Sequence, residues 1–213
     1  MNFERARERM VEEQLVNRGI SDLPVLAVLS KVERHRFVAE ALRVRAYDDK
    51  PLPIGERQTI SQPYMVGLMT QALELRGHER VLEIGTGCGY QTAVLAELAA
   101  TVYTVERLAV LAAAARATLD AFGYTNVVTR VGDGSLGWAE EGPFDAILVT
   151  AGSPQVPRPL VAQLGMGGRL VFPIGEEELQ TLVRIRKEAE GLQEDGFGDC
   201  RFVKLVGRYG WRR

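Results

Sequence analysis

Residues 80–90 read Arg80-Val81-Leu82-Glu83-Ile84-Gly85-Thr86-Gly87-Cys88-Gly89-Tyr90. Val81 to Ile84 has the composition of a short buried strand, and the glycines after it open a turn into a helix beginning at Tyr90. Downstream, Val102–Val105, Val127–Val131, Phe144–Val149 and Arg169–Ile174 repeat the strand pattern. Helical stretches lie between them: Tyr90–Leu98, one ending near Ala121, and Leu160–Leu164. Strands alternating with helices imply parallel βαβ units, and ligands in such sheets bind where the strand order reverses. The expected fold class is α/β.

Outward from this core, residues 2–18 carry a helical period, with Phe3, Ala6, Met10, Val11 and Leu15 near one face and Gly19 as a stop signal. Asp22 is placed to cap a second helix, with Pro24 in its first turn. A loop with Pro51, Pro53 and Gly55 leads to Gln58–Pro63 and an apolar helix from about Tyr64 to Leu75. After Ile174, the stretches Leu179–Arg186, Glu188–Asp195 and Arg201–Leu205 read as strands, while 191–200 is Gly/Asp-rich and ambiguous. There is no repeat and no separating linker. Residues 1–77 therefore read as an N-terminal helical cap, and 78–213 as the sheet domain with C-terminal antiparallel strands, in one compact unit.

The composition narrows the function classes. The chain has 213 residues, 46% of them hydrophobic, with a formal net charge of −2. That excludes a uniformly basic nucleic-acid binder and an acidic disordered protein. Two cysteines, Cys88 and Cys200, and two histidines, His35 and His78, exclude a disulfide scaffold and leave no expected metal site. The N-terminal residues are charged, with no secretory apolar segment, and the longest clean apolar run, Leu108–Ala115, is far short of the ~20 residues of a membrane span. A reduced, cytoplasmic protein is expected.

The glycine spacing separates candidate ligands. A dinucleotide fingerprint is G-x-G-x-x-G. Here the order is Gly85-x-Gly87-x-Gly89, with bulky Tyr90 at the place of the late glycine. Glu83, at the end of the strand, is atypical beside two phosphates and suits a ligand with a positive amino or sulfonium group. Glu106 ends the second strand and can accept from both ribose hydroxyls, which NAD and S-adenosylmethionine share. Asp133, in Gly132-Asp133-Gly134, either accepts from an adenine amino group or belongs to a simple Asp-Gly turn.

Glu83 with Gly85-x-Gly87-x-Gly89, Glu106 and Asp133 resembles the cofactor motifs of class I S-adenosylmethionine-dependent methyltransferases, over roughly residues 78–175. That resemblance implies a Rossmann-like, mostly parallel sheet with helices on both faces. It assigns Glu83, Gly85, Thr86, Gly87, Gly89, Tyr90, Glu106, Arg107, Asp133 and Gly134 to S-adenosyl-L-methionine, the product being S-adenosyl-L-homocysteine. Further segments make the likeness closer. Leu52-Pro53-Ile54-Gly55, Gln58-Thr59-Ile60-Ser61-Gln62-Pro63, Phe172-Pro173-Ile174-Gly175 and Arg201-Phe202-Val203-Lys204-Leu205 are similar to blocks of the protein-L-isoaspartate O-methyltransferases. Two departures are Lys204, where that family usually has proline, and Ala151-Gly152-Ser153-Pro154, where it often has an alanine-rich run.

The closer resemblance implies methyl transfer to the free α-carboxylate of L-isoaspartyl residues in age-damaged proteins and peptides. The ester can close to a succinimide, which initiates repair. It implies protein partners, no nucleic acid, no membrane and a monomer. Such a carboxylate has a pKa near 3.5 and is ionised at neutral pH, so no general base is required. Ser61 is then the catalytic candidate that holds the acceptor, with Thr59, Ile60, Leu205 and Val206 shaping its cleft. On its own, Ser61 reads equally as a cap of the helix beginning near Pro63. Cys88 reads as a space-filler, His35 as a surface or capping residue, and Trp138 and Trp211 as packing or rim residues. The alternatives are a class I methyltransferase with a small-molecule or nucleic-acid acceptor, a non-catalytic adenosine-binding module, and an NAD-dependent oxidoreductase. An Asn/Asp-Pro-Pro-aromatic motif, common in base-methylating enzymes, is missing after the fourth strand, where Thr150-Ala151-Gly152-Ser153-Pro154 stands.

Overall fold

The computed structural model describes residues 2–212. Helix α1 (Phe3–Arg9) is capped by Asn2, which accepts the Arg5 N–H at 3.1 Å. It continues through wider turns at Met10–Leu15 and a 3₁₀ turn at Val16–Arg18, and stops at Gly19. Helix α2 (Leu23–Lys31) starts at Asp22, whose side chain accepts the Val25 N–H at 3.1 Å. The Pro-rich stretch expected as a loop is instead an antiparallel hairpin, β1 (Leu52–Gly55) and β2 (Gln58–Ile60). Its turn residues Glu56 and Arg57 adopt φ of 50° and 57°. Left-handed geometry at both central positions suits the twist of a tight hairpin, here without the usual glycine or asparagine.

Helix α3 (Pro63–Ala72) ends three residues before the expected Leu75. Arg169 reaches across to cap this end, its Nε donating to the Leu73 carbonyl at 2.8 Å. The alternating core follows: β3 (Arg80–Ile84), α4 (Tyr90–Ala96), β4 (Thr101–Glu106), α5 (Ala109–Ala121), β5 (Val127–Val131), β6 (Phe144–Val149), α6 (Arg158–Gln163) and β7 (Leu164–Gly175). Strands β8 (Gln180–Glu188) and β9 (Gly191–Cys200) complete a seven-stranded sheet of order β5-β4-β3-β6-β7-β8-β9. Pairing is parallel from β5 to β7 and antiparallel across β7-β8-β9. The ambiguous residues 191–200 are thus an edge strand, and the last strands lie in simple chain order.

Arg201–Leu205, expected as a strand of the sheet, is not one. At the end of β9, Gln180 Oε1 accepts the Phe202 N–H at 2.7 Å and turns the chain away from the edge. The segment crosses instead to Gly152, whose N–H donates to Val203 O and whose carbonyl accepts from Leu205 N–H, each at 2.8 Å.

Alternation along the strands divides the core. Val81, Ala146 and Leu148 face the cap with α3, α4 and α5; Leu82, Ile84, Ile147 and Val149 face α6 and Leu205. The chain leaves β3 for β4 and β5, then returns to β6 on the other side of β3. The order therefore reverses beside β3, where the glycine turn stands. His35 is a further correction: it is buried rather than on the surface, because its ring stacks on Phe3 at 4.0 Å and its Nδ1 lies 2.8 Å from the Tyr47 hydroxyl.

Candidate active site

The turn after β3 approaches its surroundings too closely for side chains. Gly85 has φ 99°, and a Cβ there would collide with Thr150 Oγ1. That hydroxyl is not free to move aside, since it donates to the carbonyls of Ile84 at 3.0 Å and Gly85 at 2.9 Å. Gly87, at φ 55°, faces Ile54 of the hairpin, where an added Cβ would lie 3.2 Å from the Ile54 Cδ1. Glu106 braces the turn from β4. Its carboxylate accepts the Gly87 and Leu108 N–H groups, both at 2.9 Å. A carboxylate has about four acceptor positions, so it retains capacity for a ligand's hydroxyls.

An open cavity lies above this turn, beside the point where the strand order reverses, the usual place of ligands in such sheets. Gly85, Gly87, Glu106, Arg107 and Gly134 line it from the sheet side, and Thr59, Leu205 and Val206 from the covering side. A smaller cavity lies alongside, lined by Thr59, Ile60, Ser61, Gly85, Thr86, Gly87, Tyr90 and Thr150 among others. The two share Thr59, Gly85, Gly87 and Thr150. A third, open groove reaches the surface past Gln58, Thr59, Arg107, Lys204 and Val206. Thr59 lines all three.

Three residues singled out in the sequence stand off these walls. Gly89 is packed on α5, a Cβ there lying 3.4 Å from Ala115 and Leu119. Glu83 is fully buried behind the turn, its Oε2 accepting from Thr92 Oγ1 at 2.5 Å and Thr104 Oγ1 at 2.6 Å, while its Oε1 has no partner. Thr104 is its register neighbour on β4 and passes the contact to Thr86, hydroxyl to hydroxyl, at 2.6 Å. Burial pushes the Glu83 pKa up to about 8 against the pull of the two hydroxyls, with Glu106 adding to the rise. Asp133 lines a separate pocket with Arg107, Val206 and Trp211. Its Oδ1 accepts from the Ser135 N–H and hydroxyl, and its Oδ2 from the Arg208 N–H at 2.7 Å. It thereby fastens the C-terminal segment, which Trp211 also ties down by donating its Nε1–H to Gly152 O at 3.0 Å.

Ser61 does not cap α3. The N-cap is Gln62, without a side-chain bond, and Asp49 instead accepts the Tyr64 N–H at 3.1 Å. The Ser61 carbonyl accepts from Arg34 Nη2 at 2.7 Å. Cys88 is half-buried on the wall of the smaller cavity, and burial pushes its thiol pKa up to about 11. Sequence reasoning missed Thr150 and Arg34. Thr150 had a discoverable signal, its place just past the fourth strand at the switch point; Arg34 is one arginine among many.

A family profile described as protein-L-isoaspartate(D-aspartate) O-methyltransferase matches residues 5–210. The chain belongs to this family. It is 61% identical over 214 residues to protein-L-isoaspartate O-methyltransferase of Trichlorobacter lovleyi, covering 100% of this chain and 98% of that one. To protein-L-isoaspartate O-methyltransferase 1 of Syntrophobacter fumaroxidans it is 58% identical over 211 residues, 99% of each chain. Among solved structures, a protein-L-isoaspartate O-methyltransferase superposes with a TM-score of 0.85 at 29% identity, covering 96% of this chain and 67% of that one. A Plasmodium falciparum structure described as this enzyme, in complex with S-adenosyl-L-homocysteine, gives 0.82 at 28% identity, covering 94% and 98%. The fold of the family is therefore the fold described above. Among the described residues no helix is long and apolar enough to cross a membrane, and no group of three metal-binding side chains comes together.

Proposed function

We propose that this chain transfers the methyl group of S-adenosyl-L-methionine to the free α-carboxylate of L-isoaspartyl residues in damaged proteins and peptides. The observation that carries this reading is the pair of adjoining cavities sharing Thr59, Gly85, Gly87 and Thr150. One suits a nucleoside with a positive sulfur; the other opens beside the Thr59-Ile60-Ser61 block.

The donor set of the larger cavity fits the cofactor. Glu106 has spare acceptor capacity for ribose hydroxyls, Gly85 and Gly87 let a ligand lie against the backbone, and Ile84, Val105 and Leu108 give apolar wall for a base. Arg107 and Gly134 complete its walls, while Thr86 and Tyr90, expected at the cofactor, line the adjoining smaller cavity. Glu83 and Gly89 hold the turn from behind, and Asp133 holds the C-terminal segment against it. When bound, the cofactor supplies a methyl group already activated by its sulfonium. Ser61 then holds the acceptor carboxylate through its hydroxyl, as the catalytic residue. Ile60 forms the wall beside Ser61 in the smaller cavity, whereas Leu205 and Val206, expected in the acceptor cleft, cover the larger cavity, with Val206 reaching the open groove. Among the described residues no histidine lines either cavity, which suits a nucleophile that needs no deprotonation. Alignment of donor and acceptor in such a site contributes up to about 7–11 kcal/mol in favourable cases.

In this reading residues 1–77 supply Thr59, Ile60 and Ser61 of the acceptor side, and 78–213 supply the cofactor side together with Tyr90 and Thr150 of the smaller cavity, in one compact unit. The enzyme works as a cytoplasmic monomer on protein rather than nucleic acid. Radiolabelled methyl transfer to matched peptides, one isoaspartyl and one with ordinary aspartate, tests it. Base-labile label on the isoaspartyl peptide alone is expected. Binding of S-adenosyl-L-homocysteine without transfer to either peptide would discard the acceptor.

A further inference from the structure

Arg34 heads the large side chains buried completely, at 0% exposure. A guanidinium stays protonated in proteins, and a buried charge is ordinarily matched by a carboxylate. Among the described residues this one is not: burial lowers its pKa, and the polar groups beside it are the Tyr90 and Tyr47 hydroxyls and the Cys88 thiol. Its Nε donates to Ala46 O at 2.7 Å and its Nη2 to Ser61 O at 2.7 Å. Its Nη1 and the Tyr90 hydroxyl are both buried with no partner elsewhere and interact with one another, the Tyr90 ring centroid lying 4.9 Å from the guanidinium carbon. Ser61, Cys88 and Tyr90 all line the smaller cavity. A desolvated positive charge without a carboxylate partner therefore stands behind the Ser61 backbone, one residue layer from the smaller cavity.

We infer that Arg34 is a positioning residue for the acceptor, whose α-carboxylate is the missing counter-charge of this buried guanidinium. Two effects combine. The bond to the Ser61 carbonyl fixes the backbone that presents the Ser61 hydroxyl. The uncompensated charge favours an anion in the small cavity over a neutral group of the same shape, because Coulomb interactions are weakly screened away from water. Specificity for a free carboxylate, as against its amide, is thereby built into the scaffold without a cation touching the reacting oxygen. This also keeps that oxygen nucleophilic, since a direct ion pair would draw its lone pairs away.

The inference rests on the isoaspartyl reading of the site, and its test separates the two. The isoaspartyl peptide is assayed as substrate. The same peptide with its isoaspartyl α-carboxyl converted to a carboxamide is assayed as competitive inhibitor, and S-adenosyl-L-homocysteine affinity is measured by calorimetry. The unmodified chain is expected to favour carboxylate over carboxamide at least tenfold. Arg34→Gln, which keeps a donor but no charge, is expected to shrink that preference about tenfold. Arg34→Lys is expected to keep it within about threefold, and S-adenosyl-L-homocysteine affinity to stay within about twofold in both. An unchanged preference in Arg34→Gln would overturn the inference, leaving Arg34 a brace. Should that variant not fold, loss of the preference in a folded Arg34→Lys would overturn it equally, as would its absence in the unmodified chain. Failure of the unmodified chain to methylate the isoaspartyl peptide at all would instead remove the acceptor reading beneath it.

Discussion

The glycine turn after β3 and the acceptor pocket beneath the β1–β2 hairpin share Thr59, Gly85, Gly87 and Thr150, yet they hold their shapes by different means. The turn is a backbone device. Its form comes from glycines at positive φ, from carbonyls held by Thr150, and from N–H groups held by Glu106, all within one switch point of the sheet. The pocket is assembled from distant parts: Thr59 and Ile60 from the hairpin, Ser61 after it, Tyr90 and Thr150 from the sheet domain, with Arg34 of the cap bonded to the Ser61 carbonyl behind it. The comparison teaches where sensitivity lies. Damage to the turn should abolish cofactor binding, whereas damage to the pocket should spare the cofactor and lose the acceptor.

The largest effect belongs to Gly85→Ala. A side chain at φ 99° meets Thr150 Oγ1 and displaces its two bonds, at a cost of roughly 3 kcal/mol. S-adenosyl-L-homocysteine affinity should fall about a hundredfold by calorimetry; retention of native affinity would mean the turn tolerates a Cβ after all. Glu106→Ala removes two backbone bonds and the acceptor for ribose, and should weaken the same ligand by about 1.5–3 kcal/mol. An unchanged titration would take Glu106 out of the cofactor site.

Glu83 sharpens the contrast through pH. Its folded pKa, about 8, is above the roughly 4.3 of an unfolded glutamate. Between those values the native state binds the extra proton, so this group's contribution makes stability fall as pH rises through that window. Thermal unfolding from pH 5 to 9 should therefore decline more steeply in the unmodified chain than in Glu83→Gln. Parallel curves would mean that Glu83 is ionised in the fold. The smallest effect is expected of Trp211→Phe, which loses the bond to Gly152 O and about 1 kcal/mol of stability. Its unfolding midpoint should drop by a few degrees, and an unchanged midpoint would mean the C-terminal segment is held without it.

The same contrast explains what was legible in the sequence. The βαβ core could be read because each element carries its own period and the glycine turn is local; Val127–Val131 and Phe144–Val149 stand as strands within the expected bounds. The first strand of the hairpin reads as loop because Pro51 and Pro53 mask its strand character, and the turn gives no signal because glycine is missing from its two left-handed positions, Glu56 and Arg57. Arg201–Leu205 has strand composition, and only its tertiary partners, Gln180 and Gly152, take it off the sheet. Arg34 could not be found at all, since nothing local distinguishes a buried, unpaired arginine from an exposed one.

The division between the halves is tested most directly by Ser61→Ala, measured two ways on one preparation. Calorimetry with S-adenosyl-L-homocysteine should give an affinity within about twofold of the unmodified chain. Loss of a hydrogen bond to a charged group, about 1.5–3 kcal/mol, should lower kcat/KM for an isoaspartyl peptide roughly 10–150-fold. A parallel loss of both, or full activity without the hydroxyl, would contradict the assignment of Ser61 to the acceptor.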